Sequence, residues 1–231
     1  MRIAEFRNVV WIGLVLVAVS GCTGTQQTRN VKVAGFLGDY SQLQRGDLFE
    51  AQYRYLNPRA QLKAYDKVIL DPVTVWQAPN AKPLKVKPED LKQLTTSFDA
   101  ALRKELSADY QIVQQPGPGV MRVRAALTGV RPSRPILDTV TTVLPYGLAI
   151  SAAKRVVTGT PSFVGKATVE AEILDSASGE RLMAAVDERS GRKLAVVGKF
   201  KKWEDAQSAF EYWARRLRER LAEQRATGGH A

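Results

Sequence analysis

The chain has 231 residues, 45% of them hydrophobic, 25% charged and 8% aromatic, with a formal net charge of +11. That composition excludes a collagen-like, low-complexity or largely disordered chain, and the length suffices to bury a core without disulfides or a metal. One Cys and one His exclude an intrachain disulfide and a zinc finger. Any Cys-His or Ser-His-Asp site would have to use His230, which lies in the small-residue tail ATGGHA.

Residues 1–21 read as a targeting signal. Arg2 and Arg7 form a basic start, Val9 to Val19 is an apolar run of 11 residues, and Ser20 and Gly21 lead to Cys22. The run falls short of the ~20 residues that span a bilayer core and suits the h-region of a secretory signal. Val19-Ser20-Gly21-Cys22 resembles the lipobox of bacterial lipoproteins. That resemblance implies cleavage after Gly21 and a diacylglyceryl thioether on Cys22, with a further acyl chain on its amine. Each buried CH₂ contributes ~0.8 kcal/mol and one chain holds marginally, so two or three chains make a stable anchor. Thr23 in place of Asp after the Cys resembles the outer-membrane default, with the chain facing the periplasm. Thr23 to Asn30 is polar without an apolar period, so residues 22–34 are expected to be the lipidated Cys and a flexible tether.

The folded part is expected over 35–224. Gly35 to Gly46 carries Phe36, Leu37, Tyr40 and Leu43 without a period and reads as a strap packed on the domain. Asn57-Pro58 signals a turn. Asp66 to Trp76 is strand-like, with Pro72 requiring an edge or a bulge. Pro88 to Leu106 predicts a helix: Pro88 suits the first position, Glu89 and Asp90 favour the positive dipole end, and Leu91, Leu94, Phe98 and Leu106 recur at helical spacing. Tyr110 to Gln115 predicts a short strand and Pro116-Gly117-Pro118-Gly119 a turn.

Val120 to Val130 alternates, placing Met121, Val123, Ala125 and Leu127 on one face and Arg122 and Arg124 on the other. Thr139–Ala153 is 15 residues without a charge, interrupted by Pro145 and Gly147, and is a candidate apolar contact surface. A short helix is expected near 147–157. Lys166 to Leu174 alternates Ala167, Val169, Ala171 and Ile173 against Glu170 and Glu172. Residues 175–179 turn, with Gly179 placed for positive φ, and Glu180 to Arg189 returns. Trp203 to Glu223 predicts the longest helix, with Trp203, Ala206, Phe210, Trp213, Leu217 and Leu221 along one stripe. Residues 225–231 are expected to be a disordered tail. The order predicts a single α+β domain, a mostly antiparallel sheet with two amphipathic helices packed on one face.

Several strings resemble a family of uncharacterised bacterial lipoproteins, catalogued as a domain of unknown function. They are FLGDYSQL at 36–43, YDKVILDPV at 65–73, ALTGVRPS at 126–133, VEAEILDSASGERL at 169–182 and KWEDAQSAFEYWARRL at 202–217. The resemblance implies fold and localisation and supplies no activity. The element order is also similar to small domains of periplasmic accessory lipoproteins in envelope transport.

Candidate chemistry is sparse. No P-loop, nucleophile elbow or dinucleotide fingerprint is present, and no cofactor or metal is expected. Glu170 with Glu172, and Asp187 with Glu188, are the carboxylate clusters. A glycan hydrolase could use such a pair, but cross-strand pairing with Arg122, Arg124 or Arg181 on an exposed sheet face is favoured. Ser151 and Lys154 are a remote Ser-Lys pair. Residues 189–225 hold 11 Lys and Arg against 5 Asp and Glu. Within them Arg215, Arg216, Arg218 and Arg220 form a possible anionic-surface site, though cations near a helix C-terminus also have a structural reason. The expectation is a non-enzymatic, outer-membrane-anchored lipoprotein that binds an envelope protein or an anionic envelope polymer, with no role for nucleic acid. An accessory subunit of lipid or polymer transport is the alternative.

Overall fold

The computed structural model describes residues 25–47, 50–81, 83–132, 165–191 and 203–227. Cys22, Gly21, Thr139–Ala153, Ser151, Lys154, the 147–157 segment and His230 lie outside them.

Among the described residues nine strands form one sheet. They are β1 (Thr25–Gln27), β2 (Gln44–Arg45), β3 (Tyr53–Leu56), β4 (Lys67–Leu70), β5 (Thr74–Val75), β6 (Gln111–Ile112), β7 (Val120–Arg131), β8 (Lys166–Asp175) and β9 (Arg181–Gly191). Two α-helices, α1 (Pro88–Leu106) and α2 (Glu204–Thr227), complete the α+β domain. The order across the sheet is β2-β3-β9-β8-β7-β4-β6, with β1 beside β9 and β5 beside β7.

The long strands β7, β8 and β9 are antiparallel neighbours. The 175–179 turn that joins β8 to β9 uses Gly179 at φ +74, a conformation that favours glycine. Around β4 the pairing is parallel, because α1 is the crossover between β4 and β6. Pro72 explains why the 66–76 segment is two strands: it lies in the break between β4 and β5 and cannot donate to a ladder.

Period 2 sorts the faces as expected. Ala125, Leu127, Ala167 and Val169 join α1 residues Leu94, Phe98 and Leu102 and α2 residues Phe210 and Trp213 in one core cluster. Met121, Val123 and Ile173 join Leu106 and Leu221 in a second. Phe98 stacks on Phe210 with ring centroids 4.9 Å apart, fixing the two helices to each other. A register shift between Leu127 and Gly129 inserts Thr128 as an extra residue and leaves Val130 packed on the helix-side core.

Three expectations need correction. The 22–34 tether is not free from residue 25 onward: β1 pairs with β9, and Thr25, Thr28 and Val31 are buried. Its polar side chains hid the pairing because the ladder uses backbone groups, which carry no side-chain signal. The Glu170 and Glu172 face is not an exposed sheet face, for the strap at 34–43 covers it. Finally, α2 runs to Thr227, past the expected tail boundary, and the Arg225 guanidinium lies 5.3 Å from the Tyr110 ring centre.

Candidate functional site

The two faces of the sheet treat their polar groups differently. On the strap face Glu170 is 0% and Glu172 4% exposed. One oxygen of Glu170 accepts from the Ala34 amide; the other accepts from the Tyr40 hydroxyl at 2.5 Å and from the amides of Phe36 and Leu37 at 3.1 and 3.4 Å. Burial, then the Glu170 bond and charge, push the Tyr40 phenol up to about 12. Glu172 accepts from Arg124 at 2.7 Å and from Arg181 Nε at 3.0 Å. Arg181 in turn donates to the carbonyls of Leu37 and Asp39. The pairing with Arg124 and Arg181 is as expected; the burial is not. Together the two carboxylates form a clamp that holds the strap on the sheet.

The expected Asp187–Glu188 cluster is split, because adjacent strand residues point to opposite faces. Glu188 joins the strap face and binds Thr28 at 2.5 Å, Lys166 at 2.8 Å and Thr168 at 3.0 Å. Asp187 lies under α2, accepting from Trp213 Nε1 at 2.8 Å and from Gln27 Nε2 at 2.7 Å. Burial pushes its carboxyl above the ordinary value, opposed by those two bonds and by Arg189. Among the described residues no group of three or more His, Cys, Asp or Glu side chains could hold a metal ion.

On the helix face the sheet leaves room. Ala125 pairs in register with Ala171, Ala171 with Ala185, and Ala185 with Arg54. Adjacent strands lie about 4.8 Å apart, so this row of three alanines ending in an arginine runs about 14 Å across the sheet. Ala171 and Ala185 stay partly accessible in the middle of the sheet. Above them Phe98 and Leu102 of α1 and Trp213 and Leu217 of α2 form a roof, and the space between is a groove of about 170 Å³. That is close to the ~150 Å³ of an apolar cavity that holds benzene. No alternation pattern reveals such a groove, because Ala scores as an ordinary apolar position; the signal is small residues matched across strands, which needs the register.

The groove opens beside Arg54, Arg216, Arg220 and Glu50. Glu50 bonds Arg54 at 2.5 Å and also Arg220. Burial raises the Glu50 carboxyl, yet the Asp47 amide and the two arginines outweigh it and hold Glu50 below its ordinary value. The mouth therefore carries one carboxylate among three guanidiniums, with Glu219 and Glu223 reaching Arg216 and Arg220 from the outer side of α2.

The four arginines expected as an anionic-surface site fall into two groups. Arg216 and Arg220 line the groove mouth. Arg215 pairs with Glu219 at 3.8 Å, and Arg218 reaches across to Asp109 at 2.7 Å and Glu105 at 3.6 Å, tying α2 to α1. Each of the four already has a carboxylate neighbour, which lowers the net field of the helix surface.

No curated protein is detectably similar in sequence. Among solved structures the chain is similar to the PelC dodecamer from Paraburkholderia phytofirmans, at 13% identity and a TM-score of 0.39, covering 73% of this chain and 94% of that one. It is similar to a candidate lipoprotein from Caulobacter crescentus at 13% identity and TM-score 0.32, covering 72% and 93%. A DUF330 protein from Xanthomonas campestris matches at 8% identity and TM-score 0.37, covering 75% and 91%. Residues 32–217, which contain the strap, the sheet from β2 onward and the groove lining as far as Leu217, match the DUF3313 family, described as a protein of unknown function, and the chain belongs to that family.

Proposed function

We propose that the chain is a lipoprotein of the cell envelope, acylated at Cys22, anchored in the outer membrane and facing the periplasm, that acts as a non-catalytic binding component. The observation that carries the binding role is the groove beneath α2, an open, mostly apolar volume with a charged mouth. Support for a non-catalytic role comes from the carboxylates. Glu170, Glu172, Asp187 and Glu188 are each consumed by bonds within the chain, and Asp187 lies on the far side of the sheet from the other three. A pair of carboxylates flanking a substrate would need open space between them. The anchor is supported by the basic start, the short apolar run and the lipobox-like string before the single Cys. Among the described residues no helix is long and apolar enough to cross a membrane.

Mass spectrometry of protein from bacterial membranes tests the anchor. The expected mature chain starts at an acylated Cys22, and Cys22→Ala leaves an unanchored precursor. An intact residue 1, or an unmodified Cys22, overturns it.

A further inference from the structure

We infer that the groove beneath α2 binds the acyl chain of an anionic amphiphile, its tail laid along Ala125, Ala171 and Ala185 and its head held by Arg54, Arg216 and Arg220. This deepens the binding role proposed above and rests on it.

Shape argues for a chain. The three alanines are register partners, so the trough runs across the strands and not along one of them. Two positions away on the same face of each strand stand larger side chains: Val123 and Leu127, Val169 and Ile173, Met183 and Asp187. They wall the trough to the width of one residue. A slot one residue wide, about 10 Å from Ala125 to Ala185 and about 14 Å to Arg54, fits an extended aliphatic chain with its head at the arginine. A single side chain of a protein partner would leave most of the length empty.

Charge argues for an anionic head. The trough is roofed by Phe98 and Trp213 and meets Arg54, in the same cross-strand row as the alanines. Arg216 and Arg220 are one helical turn apart and come down to the same mouth from α2. Guanidiniums present forked donors suited to a carboxylate or a phosphate. Glu50, which links Arg54 to Arg220, occupies the place where a ligand anion would dock. Ligand entry displaces Glu50 from Arg54 and Arg220, while Arg216 keeps Glu219 at 2.6 Å and Arg220 keeps Glu223 at 2.9 Å on the outer side of α2. Both a free fatty acid and a phospholipid present this chemistry.

The test uses the full acylated chain in lipid nanodiscs and a long-chain fatty acid carrying a diazirine toward its methyl end. After irradiation the label is expected on β8, β9 and the Trp213–Leu217 part of α2. The paired substitution Ala171→Leu with Ala185→Leu fills the trough and is expected to cut labelling at least about tenfold. Arg54→Gln, at the rim and outside the core, is expected to weaken labelling by the acid probe and to leave labelling by the matching fatty alcohol unchanged. Thermal unfolding of each variant reports whether the fold is kept. Competition by unlabelled fatty acid alone assigns the site to free acids, and competition by phosphatidylglycerol assigns it to phospholipid; either supports the inference. Label confined to residues outside the groove, or labelling unchanged in the filled variant, overturns it, and acid labelling unchanged in Arg54→Gln overturns the assignment of the head. The mass of the N-terminus separates this result from the anchor: acylated but unlabelled protein removes the groove ligand alone, and labelled but unacylated protein removes the anchor alone.

Discussion

The strap face and the helix face of the same three strands solve burial in opposite ways. On the strap face the sheet buries charge and spends each charge on holding a segment: Glu170 collects three amides and a phenol, and Glu172 ties down two arginines. On the helix face it buries apolar groups and, along one row, makes them too small to fill the space under α2. Saturated hydrogen bonding marks a structural clamp. An unfilled, mostly apolar volume with arginines gathered at its mouth marks a place for a ligand. Damage to the two faces therefore has different consequences.

The largest loss is expected where α2 meets the sheet. Trp213→Ala removes a buried aromatic and the indole donor of Asp187, and should cost about 3–5 kcal/mol in urea unfolding. On the other face Glu170→Ala strands the amides of Ala34, Phe36 and Leu37 together with the Tyr40 hydroxyl. The expected cost is about 3 kcal/mol, with the strap amides losing hydrogen-exchange protection while α2 keeps its own. Tyr40→Phe removes one charge-assisted bond from the same clamp and should cost about 1.5 kcal/mol. An effect confined to α2 in either strap variant would contradict the assignment of the clamp.

A smaller effect concerns pH. Asp187 has an ordinary value of 3.8, raised in the fold by burial. The unfolded chain therefore ionises first, the native state holds the proton longer, and this residue's contribution to stability falls as pH rises from about 4 through the raised folded value. Asp187→Asn should remove that part of the slope in a series of melting curves across pH. A steeper slope in the variant would count against the burial argument. The smallest effect is expected for Ala171→Leu: the groove has room for the added carbons, so stability should change by less than about 1.5 kcal/mol.

Much of the fold was legible from local pattern. Pro88 with Glu89 and Asp90 marked the start of α1 to the residue. The alternation in 120–130 and 166–174 sorted both faces, because a slip of one residue would have exposed the whole apolar set. Residues 35–46 read as a strap for lack of any period, and they form one. What escaped depends on long-range pairing. Thr25 to Gln27 looked like a tether because its strand role is carried by backbone bonds to β9. Glu170 looked solvent-facing because alternation says which side a residue takes and not what covers that side. The groove was hidden twice over: Ala125, Ala171 and Ala185 are ordinary apolar positions in their own strands, and their alignment depends on a register spanning residues 120–191. Arg216 and Arg220 were picked out by charge density, while Arg54, in the same mouth, sits in a short strand with no charge run to flag it.

One paired measurement bears most directly on the contrast between the faces: photolabelling by the diazirine fatty acid and urea unfolding, both made on Glu170→Ala and on Ala171→Leu with Ala185→Leu. The strap-face variant is predicted to lose about 3 kcal/mol of stability and keep its labelling. The filled-groove variant is predicted to keep its stability and lose its labelling. Labelling that follows stability in both variants, falling with Glu170→Ala and persisting in the filled groove, would contradict the division of the sheet into a structural face and a binding face.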